Sequence, residues 1–407
     1  MTEKDWRHNQ VVVLTTVVLV FGSFTMVVAF VPYYLRDLGV THIATNAAYS
    51  GMLISISPLL AALVGPWWGK LADRSGLKPM AQRAMFAFTI SWLIFGLATR
   101  VVHLAIARVI GGVFGGFNAL TIPLATLGCP REKIGKAIGL VQSTRTASLA
   151  LGPLVGGLLA TWVGPRYTAF FASGLYLLAF LLVRYSYREF PESAAATVGA
   201  QRLNISELLT NRELIPLSLI LFLTSFMERG FGPIIPLMVL ELGASPAQAA
   251  SVAGSVFSAA ALAATLSAWY VGRLSTRWNP ARLLRYMAAA STLAAAPLAF
   301  SASNLQLGAY RCLLGLMAGG IFTVAFLLGN ESIPAHSRAT GMGVLTSAVL
   351  LGNALGPLVV GALASFGLRT ALGVSVLAYA ILGWISWQHV PIRTESAVAS
   401  SGRSPGN

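Results

Sequence analysis

Acidic residues are scarce in this 407-residue chain, where 13 Asp and Glu face 28 Lys and Arg for a formal net charge of +15. Charged residues of both signs make up only 10% of the sequence, far below the roughly one quarter typical of soluble domains. Cysteine is nearly absent. Cys129 and Cys312 have neither disulfide nor metal-ligand spacing and read as packing residues, so they support no redox inference. No glycine-rich phosphate loop ending in Lys and Ser or Thr occurs, so ATP is not the energy source. No cofactor, metal or catalytic residue is expected: His103 and His336 fall near opposite surfaces, and no His, Ser and Asp set comes together within the apolar segments.

What the chain does have is apolar length. Hydrophobic residues make up 56% and mean hydropathy is +0.73, which defines an all-α polytopic membrane protein. Runs of about 20 residues, the length of a bilayer crossing, lie near 11–35, 47–68, 82–100, 102–128, 138–163 and 167–187. A second set lies near 213–239, 246–272, 283–301, 305–331, 340–365 and 368–389, for twelve transmembrane helices in all. The first run is too long for a signal peptide and lacks a small-residue cleavage pattern before Pro32, so it is expected to remain as helix 1.

The two sets are copies. Leu151–Ala160 and Leu355–Ala364 share eight of ten residues at an offset of 204. Pro32 pairs with Pro236, Gly39 with Gly243, Pro130 with Pro334 and Gly139 with Gly343 at the same offset. At an offset of 203 Gly69 pairs with Gly272, Arg74 with Arg277, Arg108 with Arg311, Gly112 with Gly315 and Arg166 with Arg369. Constant spacing in constant order marks two homologous halves. The division is residues 1–190 as an N-terminal six-helix bundle, 191–212 as a polar linker, 213–390 as a C-terminal six-helix bundle and 391–407 as a tail. Six crossings return the chain to its starting side, so the repeats are parallel (6+6) around a central cavity near the bilayer midplane.

Basic residues orient the assembly. Lys4, Arg7, Lys70, Arg74, Lys78, Arg83, Arg131, Lys133 and Lys136 share one side with many more, whereas the opposite side holds only Arg36, Arg100, Arg166 and Arg369. The positive-inside rule then makes both termini and the linker cytoplasmic. The surplus charge is thereby topological: it suits contact with anionic membrane lipids and implies no nucleic acid partner.

Three local patterns connect this organisation with a known family. Gly69-Lys70-Leu71-Ala72-Asp73-Arg74-Ser75-Gly76-Leu77-Lys78 resembles the G-x-L-A-D-R-x-G-R-K signature of the major facilitator superfamily. Arg108 to Gly112 is similar to its R-x-x-x-G signature, and Gly152-Pro153-Leu154-Val155-Gly156-Gly157 to the motif of its proton antiporter branch. The resemblance covers residues from about 11 to 390 and implies a rocker-switch secondary transporter, most similar to twelve-helix drug:proton antiporters of the multidrug and tetracycline efflux type in the inner (plasma) membrane. It also implies a small-molecule substrate, protons as the driving partner and a monomeric protein.

Physical chemistry and the resemblance together nominate site residues. Gly69, Asp73, Arg74 and Gly76 fall in an expected tight loop, where the carboxylate can cap a helix and bind cations of a neighbouring helix, as a latch that breaks when the halves rock. Leu77 replaces a basic residue of the signature, and Thr276 stands in the second half where Asp73 stands in the first. Gly152, Pro153, Gly156 and Gly157, with Gly356 and Pro357 in the second half, permit close, bendable helix contact at a seam between the halves; ordinary close packing is the alternative.

Ionisable groups within spans are functional candidates by default. Four are basic, Arg108, Arg145, Arg229 and Arg311, and one acid, Glu228, lies clearly mid-span. Glu228 is the expected proton-coupling carboxylate, with Arg108 matching the family's helix 4 arginine linked to proton transfer; a Glu228 locked by a permanent partner is the structural alternative. Arg145, Arg229, Gln142, Phe24, Phe226 and Arg311 are the expected cavity residues, the aromatics suiting lipophilic substrates. The expected function is export of small lipophilic molecules, or drugs, in exchange for protons, the basis of multidrug efflux and antibiotic resistance. A transporter of a specific organic anion or other metabolite, and a lipid flippase of the same fold, are the alternatives.

Overall fold

A computed structural model of the chain describes residues 3–130, 133–188, 214–333 and 338–392. The expected linker at 191–212 and nearly all of the expected tail lie outside the described residues. The described residues form helices and short connections, with twelve helical crossings in the expected order.

Span 1 runs Glu3–Met26, passes through a 3-10 turn at Val27–Ala29 and continues Val31–Asp37. Pro32 causes the interruption, because its ring nitrogen has no hydrogen to donate to the preceding turn. Spans 2 and 3 are Ile43–Ser75 and Leu77–Gly96, joined by Gly76 alone. Gly76 has φ +86°, a backbone conformation that a side chain would strain. Spans 4, 5 and 6 are Val101–Phe114 with Phe117–Thr126, Ile134–Val163 and Pro165–Ser186. The second half has span 7, Leu214–Glu241; span 8, Ala249–Leu274; and span 9, Pro280–Ala295 with the turn Ala296–Phe300. Spans 10, 11 and 12 are Asn304–Ala318 with Ile321–Ser332, Arg338–Leu363 and Leu368–His389.

Eleven of these crossings are long and apolar enough to cross a membrane. Span 3 completes the set, its hydropathy reduced by Gln82 and Arg83 near one end. It starts at Leu77, earlier than the expected 82, which adds Lys78 to the helix. The repeat governs irregularities too, since span 4 breaks at Gly115-Gly116 and span 10 at Gly319-Gly320, 204 residues apart.

Lipid tails are as apolar as leucine, so helices in a bilayer associate through close packing of small residues and interhelical hydrogen bonds. The halves meet in this way along two seams. A Cβ on Gly51 of span 2 would overlap the Pro357 carbonyl of span 11, and one on Gly361 would come 3.1 Å from the Gly51 Cα. A Cβ on Gly254 of span 8 would overlap the Pro153 carbonyl of span 5 and come 3.2 Å from the Gly157 Cα. Gly51 and Gly254 are repeat partners at 203 residues, Gly157 and Gly361 at 204, so the seams are pseudosymmetric copies.

Polar contacts accompany them. The Leu154 amide donates to Ser258 Oγ at 3.0 Å and the Ser251 amide to Thr161 Oγ1 at 3.1 Å. The buried Tyr33 hydroxyl of span 1 lies 2.8 Å from the Pro236 carbonyl and 3.0 Å from the Ala249 carbonyl, a shared bond across the halves. These contacts sit at the helix ends farthest from the chain termini. Toward the termini face Leu63 and Leu71 of span 2, Leu140 and Ser143 of span 5, and Thr346 and Ser347 of span 11 are exposed. The close contacts described between the halves therefore gather at the distal face.

Side chains at the seam glycines should force the seal apart. Overpacking costs about 1–3 kcal/mol, roughly a factor of 5 to 150 in the sealed population. Gly51→Val and Gly157→Val are each expected to expose a cysteine placed at Ser258 to an impermeant maleimide. Gly174→Val, where a Cβ meets nothing within 4 Å, should leave labelling unchanged.

Candidate functional site

The R-x-x-x-G spacing performs the same task in both halves. A Cβ on Gly112 would come 2.9 Å from Ser57 Cα of span 2, and one on Gly315 would press on the Ala260 carbonyl of span 8 at 2.5 Å. Each glycine brings its helix onto a neighbour, and the arginine one turn earlier turns into the bundle interior. Arg108 is 5% exposed and Arg311 2%.

Arg311 has a partner. Its Nη2 donates to Glu228 Oε2 of span 7 at 2.9 Å, and its guanidinium carbon stands 4.1 Å from the centre of the Phe231 ring. Nε and Nη1 of Arg311 are buried without a hydrogen-bond partner, and the Tyr379 hydroxyl of span 12 is a further buried unpartnered group. Tyr379 lies within electrostatic range of both members of the pair. The Glu228 side chain keeps 34% exposure while that of Arg311 keeps 3%. The carboxylate is thus the more exposed member of the pair and the guanidinium the buried one.

Arg108 has the same surroundings without the acid. Its guanidinium lies 5.1 Å from the Trp92 ring and 5.0 Å from the Phe95 ring, with Nε and Nη2 unpartnered. Tyr176, the repeat partner of Tyr379, stands beside it. The position matching Glu228 is Phe24, which packs edge-on against Phe88 at 6.3 Å. The structure therefore brings Arg311 to Glu228 and keeps Arg108 in a separate aromatic cage.

Arg145 does not reach Glu228 either. It stacks over Phe21 of span 1 at 5.0 Å, with Nε buried and unpartnered. Its charged neighbour is Arg229, which is sequence-adjacent to Glu228 and within electrostatic range of it. Gln142 is exposed one turn nearer the termini face. Phe226 is half-buried, pairs with Phe222 at 5.7 Å and offers its backbone to Gly356 of span 11.

The antiporter-like motif in span 5 divides between two neighbours, which corrects its expected placement wholly at the seam between halves. A Cβ on Gly152 would overlap Thr25, and one on Gly156 would lie 2.5 Å from Met26 Cα, so both glycines dock on span 1 of their own half. Pro153 and Gly157, a quarter turn round, face span 8. Span 11 divides alike, with Gly356 on Phe226 of span 7 and Pro357 on Gly51 of span 2.

The expected latch loop is also different in form. Span 2 stays helical through Ser75, so Gly69, Asp73 and Arg74 ride on its last two turns and only Gly76 forms the connection. Gly69 and Arg74 are exposed; the Asp73 side chain lies outside the described residues. In the second half the Thr276 hydroxyl donates to the Arg273 carbonyl at 2.7 Å, a local turn bond. Both cysteines are free thiols.

Three contributors escaped the sequence reading: Tyr33, Tyr379 and the anchoring role of Phe231. Tyr176 and Tyr379 lie 203 residues apart, like Arg108 and Arg311, and that shared offset could have joined each tyrosine to its arginine. Nothing in the sequence marked Tyr33, whose two acceptors are backbone carbonyls of the other half.

Two pseudosymmetric six-helix bundles, joined by glycine seams on one face and carrying an ion pair between spans 7 and 10, define a multi-pass membrane transporter of the alternating-access class. The family model described as Major Facilitator Superfamily matches residues 12–227 and 217–405, and the chain belongs to that superfamily. A multidrug resistance protein MdtG from Rahnella sp. (strain Y9602) is 32% identical over 378 residues, 92% of this chain and 91% of that protein. MdtG from Citrobacter koseri is 32% identical over 403 residues, 97% and 98% of the two chains. Among solved structures, a bacterial homolog of the human lysosomal transporter Spinster, inward-facing and occupied, aligns over 100% of both chains with TM-score 0.81 at 17% identity.

If Glu228 and Arg311 stabilise each other, their substitutions will not be additive. In denaturant unfolding, Glu228→Gln and Arg311→Met should each destabilise, and the double variant should recover a coupling energy on the order of 1–3 kcal/mol.

Proposed function

We propose that this chain exports small, lipophilic molecules in exchange for protons, by rocking residues 1–190 against residues 213–390. The observation that carries this reading is the Glu228–Arg311 pair: a partly exposed carboxylate in the middle of span 7, hydrogen-bonded at 2.9 Å to a buried guanidinium. Proton uptake by Glu228 cancels one charge and weakens that bond; proton release restores it. Such a group biases two arrangements of the bundles according to which face supplies the proton.

Other features support the same reading. The curated relatives are named multidrug resistance proteins over nearly their whole length. The crowding of Lys and Arg on the termini face supports a cytoplasmic position for both termini in the inner (plasma) membrane. In that orientation the cavity opens to the cytoplasm and is poised to take up substrate. Phe24, Phe226 and Gln142 border the route, Arg108 holds a fixed charge beside span 3, and Gly69, Asp73, Arg74 and Gly76 form the switch at the end of span 2. The protein acts as a monomer, since its cavity lies between the two halves of one chain and is bounded by membrane lipids.

Reconstituted protein and a pH-sensing dye test the coupling. Addition of lipophilic drugs should trigger proton movement in wild type, and Glu228→Gln should lose at least 90% of it while retaining drug binding. Proton movement at the wild-type rate in Glu228→Gln would assign coupling to another group.

A further inference from the structure

The distal ends of spans 1 and 7 are held by the same kind of bond from different places. Pro32 and Pro236 are repeat partners at 204 residues, and each carbonyl accepts from a side chain. Asn46 Nδ2 donates to the Pro32 carbonyl at 2.9 Å and to the Val40 carbonyl at 2.9 Å, so the N-terminal half ties this corner from within. The Pro236 carbonyl instead accepts from Tyr33 of the other half, at 2.8 Å.

Two positions of the repeat account for the exchange. Spans 2 and 8 begin alike: the Asn46 amide donates to the His42 carbonyl and the Ala249 amide to the Ser245 carbonyl, both at 2.9 Å. Gly51 and Gly254 follow five residues later in each. Ala249 therefore stands where Asn46 stands, and its methyl group offers no donor to the Pro236 carbonyl. The Ala249 carbonyl becomes the second acceptor of Tyr33, at 3.0 Å. Leu237 stands 204 residues after Tyr33 and has no hydroxyl, so that position makes no reciprocal bond to the N-terminal half. The half that reaches out fills its own acceptor, and the half that cannot reach out leaves its acceptor to the other.

Tyr33 also stands on a firm support. The adjacent Tyr34 hydroxyl donates to the Phe95 carbonyl of span 3 at 3.0 Å, inside its own half, and Asn46 is fully buried. The distal end of span 1 thus moves with the N-terminal half. Separation of the halves on the distal face must break the Tyr33 bond, while the Asn46 and Tyr34 bonds, internal to one half, survive it. We propose that Tyr33 is the latch of the distal face, and that Ala249, by withholding a donor, leaves the Pro236 carbonyl available to it. The glycine seams supply contact without direction; a hydrogen bond weakens steeply when bent, so it adds a contact that is either made or broken. The latch needs the rocking of the export reading and neither its substrate nor its proton step.

Opening of the distal face can be read as a labelling rate. Full-length protein with Cys129 and Cys312 replaced by serine would carry Ser258→Cys, a buried seam position, in vesicles whose distal face is outward. An impermeant maleimide is then added outside. Tyr33→Phe, which keeps the ring and removes the hydroxyl, should raise the rate roughly 2- to 12-fold, the worth of one net hydrogen bond. Tyr34→Phe, the same change in a bond internal to one half, should leave the rate at the wild-type value. Ala249→Asn supplies the donor that Asn46 supplies in the first half; it should raise the rate while the Tyr33 hydroxyl is present and add nothing in the Tyr33→Phe background. A wild-type rate in Tyr33→Phe, an equal rise in Tyr34→Phe, or the same rise on Ala249→Asn with and without the Tyr33 hydroxyl overturns the proposal. Failure of the export reading would appear separately, as absent drug-triggered proton movement with these labelling rates as expected.

Discussion

Backbone approaching backbone at four glycines is the constraint on which the rest depends. In a bilayer no solvent drives helices together, so two halves that must separate on one face while sealing on the other need an attraction that acts only at contact distance. Gly51 against Gly361 and Gly157 against Gly254 meet that need, since dispersion falls away steeply once the surfaces part. The carbonyls of Pro153 and Pro357 sit at these crossings. Each proline removes one backbone hydrogen bond from its helix beside the crossing.

Around that frame the polar chemistry is distributed unequally between halves of common origin. The C-terminal half holds a carboxylate, its arginine anchor, Phe231 beneath the guanidinium and Tyr379 nearby. The N-terminal half preserves the arginine, the aromatic enclosure and the tyrosine, and has Phe24 where the acid would be. Duplication supplied two equivalent positions and only one became ionisable. The caged Arg108 keeps its cost tolerable through ring faces.

Much of this architecture was legible before any coordinates. The internal offset of 203 to 204 residues paired helices, breaks and seam glycines across the chain, and hydropathy located the spans because a 30 Å hydrocarbon layer imposes a length. Glu228 stood out as the mid-span acid. Helix ends were less legible: span 3 begins at Leu77 and span 2 runs through Asp73 to Ser75, because Gly76 alone can reverse the chain with a positive φ. Partner choice was hidden as well. Whether Glu228 meets Arg108, Arg145 or Arg311 depends on helix rotation, and a sequence period of 3.6 does not say which neighbour occupies the facing side. Tyr33 was silent for a related reason, since a hydroxyl that bonds to backbone carbonyls leaves no complementary residue type to notice.

The inequality between the halves also sets an energetic ceiling. On the proposed coupling, one acid in the middle of a span means one proton per cycle through this pair. A unit charge crossing 100 mV carries about 2.3 kcal/mol, and every 1.4 kcal/mol is a factor of ten. For an uncharged substrate, each 100 mV of driving force then sustains roughly a fiftyfold concentration ratio. A chain with acids in both repeats could square that ratio, at the expense of waiting for two protonations in each turn. On that coupling, Phe24 in place of a carboxylate holds the attainable gradient to one proton's worth per cycle.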